Sequence, residues 1–338
     1  MADRVVIIGG AGFIGSHLTS QLCDQGCTVT VVSRSAGLGR SDSNTLRYFR
    51  AEVADHERIT SVIEGASVVY HLAMGGGPTW ADYQRDFIDG TLNIAAACKK
   101  FGVRRMIFTS SISALFLGKS ATLYERDGPD PKPLSRSFYS RGKILAEQAL
   151  LDLHRREKLP IVILRPAIVL GRGGMLAHGA LGHSASDTCI LGWGAGRKPL
   201  PCVLVQDVAR ALVLAKDAAG VEGKCFNLSG DIRPTASEYV KLLRERTFRN
   251  FRFYPRSLWK MGAWEWVIWA MKAMARKPDN VTPSYRDLQS LTMSADLDCS
   301  EAKQLLGWKP ETDSEAFFQE AIGSHLKPLH PKDIRIAS

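Results

Sequence analysis

Tyr139 and Lys143 are four residues apart in the segment SRSFYSRGKILAEQ (residues 135–148), which is rich in helix-forming residues. On a helix, positions i and i+4 lie on one face, so the phenol and the ammonium group would point into the same space. A tyrosine with its ordinary pKa of about 10 is a poor base at neutral pH, and a nearby cation favours the phenolate. The spacing indicates a general acid/base pair, with a solvated helix face as the alternative.

A cluster of hydroxyl groups follows residues 104–109, a run that is typical of a buried strand. The cluster consists of Ser110, Ser111 and Ser113. A serine at this place could donate a hydrogen bond to the carbonyl or carbinol oxygen of a substrate beside the Tyr139 hydroxyl. The alternative is that these hydroxyls only cap a turn.

The amino terminus has the pattern of a phosphate-binding turn. A mostly β-branched run at 4–8 is followed by glycines at positions 9, 12 and 15 and then by a helical pattern that ends at Gly26. Gly9, Gly12 and Gly15 would allow a tight turn, the approach of a pyrophosphate and close packing of the helix on the strand. The helix dipole favours the phosphate charge. This unit predicts a dinucleotide cofactor.

The second predicted strand, 28–33, should end beside the adenosine ribose of that cofactor. NAD enzymes usually have an Asp or Glu there, which binds the ribose 2′-hydroxyl. This chain has Ser33, Arg34 and Ser35 instead, and a guanidinium flanked by hydroxyls suits a 2′-phosphate. The sequence favours NADP, with NAD as the alternative.

Strands and helices alternate through the first half of the chain. Further strands are predicted near 46–51, 67–72, 104–109 and 161–164, and helices near 56–64, 80–101 and around Tyr139. The alternation predicts an α/β fold with a doubly wound parallel sheet (Rossmann fold), whose ligands lie at the carboxyl ends of the strands. We predict a Rossmann core over 1–170 and a smaller, mostly substrate-binding lobe over 171–338, with 203–230 returning to the core.

These motifs together resemble the short-chain dehydrogenase/reductase superfamily in its extended, epimerase/dehydratase-like branch. The glycine turn, the serine-rich strand end, the Tyr139-x-x-x-Lys143 pair and the closing LGWKP at 306–310 follow the order and spacing of that family over nearly the whole chain. The resemblance implies that Tyr139 is the general acid/base, that Lys143 lowers its pKa and holds the nicotinamide ribose, and that Ser111 orients the substrate oxygen.

The same resemblance implies further cofactor contacts along the cleft. The implied residues are Phe13 and Ile14 at the pyrophosphate, Glu52 and Val53 around the adenine, and Ala73, Pro166 and Ile168 along the cleft.

Ile168 also bears on the substrate. Relatives that act on nucleotide sugars usually carry Asn at this position, three residues after Arg165, and an aliphatic residue favours an apolar substrate. The run at 165–171 resembles the hydroxysteroid dehydrogenase and flavonol-reductase-like side of the branch. We expect an NAD(P)-dependent oxidoreductase that interconverts a secondary alcohol and a ketone, or reduces a carbonyl, on a sterol-like substrate. The alternatives are a nucleotide-sugar epimerase or reductase and a non-catalytic cofactor-binding subunit.

Two features of the second half concern loops and helix ends. The Gly/His/Ser-rich stretch at 172–186 is predicted to be irregular, with His178 and His183 as exposed loop residues and no metal site. Asp207 is predicted to be structural, as a helix cap.

Residues 258–275 hold four of the seven tryptophans in a helical pattern. The charges within it exclude a membrane span. Three interpretations stay open: a lid over an apolar pocket, an interfacial membrane helix within 257–276, and a buried helix or homodimer face.

The formal charge of +10 comes from 44 basic and 34 acidic residues. The basic residues are scattered and form no stacking platform with aromatic residues, so nucleic acid is not expected as a partner. An odd number of cysteines without metal-type spacing and a glycine-interrupted amino terminus favour a cytoplasmic protein, with membrane association left open.

Overall fold

The computed structural model describes residues 3–35, 42–116, 122–277, 282–292 and 296–326. The strands are β1 (Arg4–Ile8), β2 (Thr28–Ser33), β3 (Leu46–Arg50), β4 (Val68–His71), β5 (Arg105–Thr109), β6 (Thr122–Leu123), β7 (Ile161–Pro166), β8 (Ile168–Leu170), β9 (Gly182–Ser186), β10 (Cys189–Trp193), β11 (Cys202–Leu204), β12 (Cys225–Leu228), β13 (Arg252–Arg256) and β14 (Asp296–Leu297). The helices are α1 (Phe13–Asp24), α2 (His56–Ile63), α3 (Trp80–Tyr83), α4 (Gly90–Lys100), α5 (Phe138–Glu157), α6 (Val205–Ala215), α7 (Ala236–Thr247), α8 (Leu258–Met274), α9 (Tyr285–Thr292), α10 (Ser300–Leu305) and α11 (Ser314–Ala321).

Seven strands form one sheet in the order β12-β7-β5-β4-β1-β2-β3. All neighbouring strands in it are parallel. The chain adds strands on both sides of β1, and helices cover both faces of the sheet. These two features define a doubly wound Rossmann fold. The predicted fold class is confirmed. The carboxyl ends of β1, β4, β5 and β7 meet at one edge, where the predicted site residues begin.

Alternate side chains of the sheet strands pack into two separate hydrophobic cores, one on each face of the sheet. In β1, Val5 and Ile7 pack in the cluster that includes α1 and α6 residues, whereas Val6 and Ile8 pack in the cluster that includes α2, α4 and α5 residues. Successive residues of a strand point to opposite faces, and both faces are covered. This explains why the central strands read as continuous apolar runs and not as alternating ones.

Two predictions for the region after residue 170 are wrong: the irregular stretch at 172–186 and the helix cap at Asp207. The stretch predicted to be irregular contains β9, which pairs antiparallel with β10, and β10 pairs with β13. Asp207 is not a helix cap: Leu204 occupies that position, and Asp207 lies in the first turn of α6. Its carboxylate is buried and accepts a hydrogen bond from the Glu311 N–H at 2.9 Å, so it holds the closing segment against α6. The domain boundary at residue 170 stays a prediction.

A buried ion pair joins the last long strand to the helix that carries Tyr139. The guanidinium of Arg165 on β7 donates to the carboxylate of Glu147 on α5, with the closest contact at 2.8 Å. Both side chains are at most 1% exposed. Arg165 also donates to the carbonyls of residues 125 and 127. Since an unpaired charge is very costly at this depth, the pair sets the position of α5 on the sheet.

Glu147→Ala should destabilise the protein strongly, because the Arg165 guanidinium would stay buried without its carboxylate. We expect a loss of about 3–5 kcal/mol in the free energy of unfolding, measured by urea denaturation. Asp152→Ala is the matched control, because Asp152 lies on the same helix but pairs with Arg155 at the surface. That change should cost less than about 1 kcal/mol. Similar losses in both variants would contradict the structural role of the buried pair.

Candidate active site

The glycine turn after β1 leaves no room for a side chain at Gly9 or Gly15. Gly9 has a φ of +92°, and a Cβ there would come within 2.6 Å of the Ala73 nitrogen. A Cβ on Gly15 would lie 2.3 Å from the Gly9 carbonyl oxygen. Gly12 caps α1 without any side-chain hydrogen bond, so the helix N-terminus is left to an external acceptor. The turn has the features required to hold a dinucleotide pyrophosphate.

The far end of this cleft fits the adenosine half of such a cofactor. Ser33 ends β2, and its hydroxyl is buried without a hydrogen-bond partner. Arg34 follows as an exposed side chain. Val53 packs on Gly90, where an added Cβ would lie 2.5 Å from a Val53 methyl group, and Glu52 beside it is exposed. A buried hydroxyl without a partner is available to a ligand such as a ribose, and the contacts of Glu52 and Val53 with an adenine stay a prediction.

Tyr139 lies in the first turn of α5, which is capped by the Ser137 hydroxyl accepting from the Ser140 N–H. Tyr139 as a whole residue is 41% exposed, and it lines a cavity. Burial raises the pKa of its phenol, and hydrogen bonds to the hydroxyls of Ser111 and Ser113 act in the opposite direction. The sequence prediction of a lowered pKa is therefore wrong for this arrangement. The predicted neighbourhood of serine and tyrosine hydroxyls is found.

Lys143 is buried, and its ammonium group is directed to the backbone of β5. Its ammonium donates to the Thr109 carbonyl at 2.8 Å and lies about equally close to the rings of Phe87 and Phe108, at 5.0 and 4.9 Å from their centroids. Burial lowers its pKa to about 7, although Glu147 favours the charge. Since the ammonium is directed to the backbone of β5, it does not supply the expected lowering of the phenol pKa.

A cavity of about 850 Å³ opens at the Tyr139 hydroxyl. Its walls come from the glycine turn, the end of β5, the start of α5, the β7–β8 junction and α9. The lining includes Phe13, Ile14, Ser110, Ser111, Ser113, Leu115, Tyr139, Pro166, Ile168, Met175, Leu200 and Leu291. A cavity of this size holds a drug-sized or sterol-sized ligand, and most of its wall is apolar. Of the described lining residues, none belongs to α8, so the lid interpretation of the tryptophan-rich helix is not supported.

Ser111 both caps a turn and lies where it could bind a substrate oxygen, so it fits both interpretations of the serine cluster. Its hydroxyl accepts from the Ser113 N–H and so caps a short 3-10 turn, yet it also lies within hydrogen-bonding reach of Tyr139. The hydroxyls of Ser110 and Ser113 are buried; that of Ser110 has no hydrogen-bond partner, and that of Ser113 interacts with the phenol of Tyr139. All three serines line the cavity. A substrate oxygen placed there would meet several donors at once.

The sequence analysis missed an ionic cluster at the cavity wall. Arg136 binds both Asp130, at 2.8 Å, and Asp287, and Arg286 binds Asp130 with two hydrogen bonds. Burial would raise the pKa of Asp130, but the two guanidinium groups lower it to about 2. Arg136 and Asp287 are 151 positions apart and line the cavity. No local pattern in the sequence signals such a contact.

His178 was also misplaced by the sequence analysis. It is half-buried, lines the cavity and accepts a hydrogen bond from the Ala180 N–H, and burial lowers its pKa. His183 is exposed, as predicted. In the described part of the chain, no group of three or more His, Cys, Asp or Glu residues is placed to hold a metal ion.

The Rossmann sheet, the glycine turn and the Ser–Tyr–Lys arrangement define an extended short-chain dehydrogenase/reductase. Comparison with known families agrees: residues 5–229 match the model of the NAD dependent epimerase/dehydratase family, and the chain belongs to that family. The predicted family and the enzyme class, an NAD-dependent oxidoreductase acting on hydroxyl or carbonyl groups, are confirmed.

Several known proteins are similar over most of the chain. Sterol-4-alpha-carboxylate 3-dehydrogenase, decarboxylating, of Mus musculus is 24% identical over 344 residues, which cover 96% of this chain and 92% of that protein. Sterol-4-alpha-carboxylate 3-dehydrogenase ERG26, decarboxylating, of Candida albicans is 26% identical, with 93% and 95% covered. The solved structure of MoeE5 in complex with UDP-glucose and NAD has a TM-score of 0.69 at 22% identity, with 96% and 98% covered.

Lys143 should make the affinity for NAD depend on pH. A charged ammonium donates stronger hydrogen bonds than a neutral amine, and with a pKa of about 7 the charge is lost as the pH rises through neutrality. We expect the dissociation constant of NAD, measured by fluorescence titration, to rise about fivefold between about pH 6 and about pH 8.

Two variants separate this effect from other groups. Lys143→Met should weaken binding and flatten the pH dependence. Tyr139→Phe should keep the pH dependence, because the phenol pKa lies above its ordinary value of 10.0. An affinity that does not change with pH in the parent protein would show that the ammonium does not hold the cofactor.

Proposed function

We propose that the protein interconverts a secondary alcohol and a ketone on an apolar, sterol-like ring substrate. The observation that carries this proposal is the cavity of about 850 Å³ at the Tyr139 hydroxyl, whose wall is mostly apolar. Ile168 contributes to that wall and is 9% exposed. An amide at this place could bind a sugar hydroxyl, whereas the isoleucine side chain offers only hydrophobic contact.

The residues at the cavity fit the proton chemistry of such a reaction. When bound, NAD would supply or accept the hydride. Tyr139 then gives a proton to the carbonyl oxygen, or takes it from the alcohol, because its hydroxyl lies with those of Ser111 and Ser113, which also line the cavity. Ser111 donates a hydrogen bond to the same oxygen. Lys143 would hold the ribose as a hydrogen-bond donor.

The curated relatives support the substrate class. The mouse and Candida albicans proteins described above are named as sterol-4-alpha-carboxylate 3-dehydrogenases. The likeness to MoeE5 shows the fold alone and does not extend its sugar nucleotide to this chain.

A ligand screen tests the substrate class. A 3β-hydroxysteroid or its 3-ketone, added with the cofactor, should raise the thermal unfolding midpoint, whereas UDP-glucose should not. At a ligand concentration of 100 times the dissociation constant the stabilisation is about 2.7 kcal/mol. Ile168→Asn should weaken steroid binding about tenfold, because it places an unsatisfied amide in an apolar wall. Stabilisation by UDP-glucose alone would overturn the proposal in favour of a nucleotide-sugar epimerase.

Turnover should then depend on Tyr139. Tyr139→Phe removes the proton donor but little volume, so the rate of steroid oxidation should fall by about 100- to 10,000-fold. Steroid and cofactor binding should survive, which the same thermal-shift assay measures. An undiminished rate would contradict the assigned role of the phenol.

We further propose a preference for NADP over NAD. Arg34 is exposed directly after β2, beside the buried Ser33 hydroxyl that has no partner. A guanidinium there would pair with a 2′-phosphate, which NAD lacks.

Fluorescence titration tests the cofactor preference. NADPH should bind at least about tenfold more tightly than NADH, a difference of about 1.4 kcal/mol. Arg34→Asp should abolish or reverse that ratio, because a carboxylate repels the phosphate and accepts from a ribose hydroxyl. Equal affinities in the parent protein would end the NADP assignment while leaving the family membership untouched.

A further inference from the structure

Helix α8 has its apolar side turned away from the protein. Its exposed positions are almost all apolar: Trp259, Ala263, Trp264, Trp266, Val267, Ala270, Met271, Ala273 and Met274, with Lys260 as the charged member. The side chains of Trp259, Trp264 and Met274 are 65%, 62% and 78% exposed. A surface helix in water normally shows the opposite arrangement. The interpretation of α8 as a plainly buried helix is therefore wrong.

The inner side of α8 is held by a small contact and carries polar residues. Gly262 is the buried residue of the helix and packs on Tyr285 and Leu288 of α9. Glu265 is half-buried; burial raises the pKa of its carboxyl and the nearby His183 of β9 lowers it. Glu265 and Lys272 are thus half-buried, while Trp259, Trp264 and Trp266 are exposed. An exposed apolar surface of this kind marks a site of interaction.

The charges around α8 discriminate between a second copy of the chain and an anionic surface as the partner of its apolar side. Between residues 249 and 277 the chain has seven basic residues and one acidic residue, Glu265. The basic residues Arg249, Arg252, Arg256, Lys260, Arg276 and Lys277 are exposed. A second copy of the chain in a symmetric dimer would bring like charges together, which is unfavourable. An anionic surface would complement them.

We propose that α8 docks the protein on an anionic lipid bilayer, with its tryptophans at the level of the headgroups and the flanking basic residues on the lipid phosphates. Tryptophan is enriched at this depth because its ring is apolar and its N–H is polar. The helix has 17 residues and is about 25 Å long, and it lies in the plane of the interface. No helix among the described residues is long and apolar enough to cross a membrane.

The position of α8 connects this surface with the cavity. α8 packs on α9, and Asp287, Ser290 and Leu291 of α9 line the cavity. Leu291 and Met175 are 39% and 67% exposed although both line it, so its rim is apolar. A membrane-dissolved substrate could therefore enter without crossing bulk water. This use of the surface rests on the proposed function, whereas the docking itself does not.

Vesicle binding tests the docking without any substrate. The full chain should sediment with phosphatidylcholine vesicles that contain phosphatidylserine, and much less with phosphatidylcholine alone. Arg256→Glu combined with Lys260→Glu should weaken binding about 30-fold or more, since each cation near the surface contributes about 1 kcal/mol and about 1.4 kcal/mol is a factor of ten. Salt should weaken the binding of the parent protein in the same way. Brominated lipids should quench its tryptophan fluorescence, which reports insertion directly.

The apolar side is tested by Trp259→Ser, Trp264→Ser and Trp266→Ser combined, which should reduce binding about tenfold or more. Leu305→Ser is the matched control, because Leu305 is 39% exposed on α10, outside this surface. NAD binding by each variant shows that it is folded. Absence of vesicle binding by the parent protein would overturn the proposal. So would a dimer that dissociates in the tryptophan variant, because it would identify α8 as a homodimer face.

Discussion

The buried pair of Arg165 and Glu147 is the interaction on which the site depends. It links β7 to α5, and α5 carries both Tyr139 and Lys143, so the ion pair determines how these side chains meet the end of β5. A salt bridge at this depth adds little net stability over an apolar pair, but it penalises any shift of one partner away from the other. The geometry of the reacting groups is thereby protected against sliding of the helix on the sheet.

The site combines a cation in apolar surroundings with a hydroxyl that faces an apolar cavity. Burial lowers the pKa of Lys143 to about 7, and its ammonium group donates to the Thr109 carbonyl and lies near two aromatic rings. The phenol of Tyr139 is protonated and lies among serine hydroxyls. Such a site is poised for proton transfer once a ribose and a substrate oxygen replace water as partners.

Apolar character extends from the cavity to the outside of the protein. The cavity wall, its rim at Met175 and Leu291, and the exposed side of α8 are mostly apolar, and the ionic cluster around Asp130 stabilises the wall at Arg136 and Asp287. A continuous apolar surface of this kind suits a substrate with low solubility in water. The excess of basic residues near α8 contributes to the net charge of +10. Nucleic-acid binding is not needed to explain that charge.

The sequence by itself determined the local features: the glycine turn, the alternation of strands and helices, the i, i+4 placement of Tyr139 and Lys143, and the neighbouring serines. Each of these depends on spacing within a few residues. The tertiary structure alone decided that Lys143 turns to the carbonyl of Thr109, 34 positions away, and that Arg136 meets Asp287, 151 positions away. It also decided which side of α8 faces outward, because periodicity reveals an apolar stripe but not the neighbour that covers it.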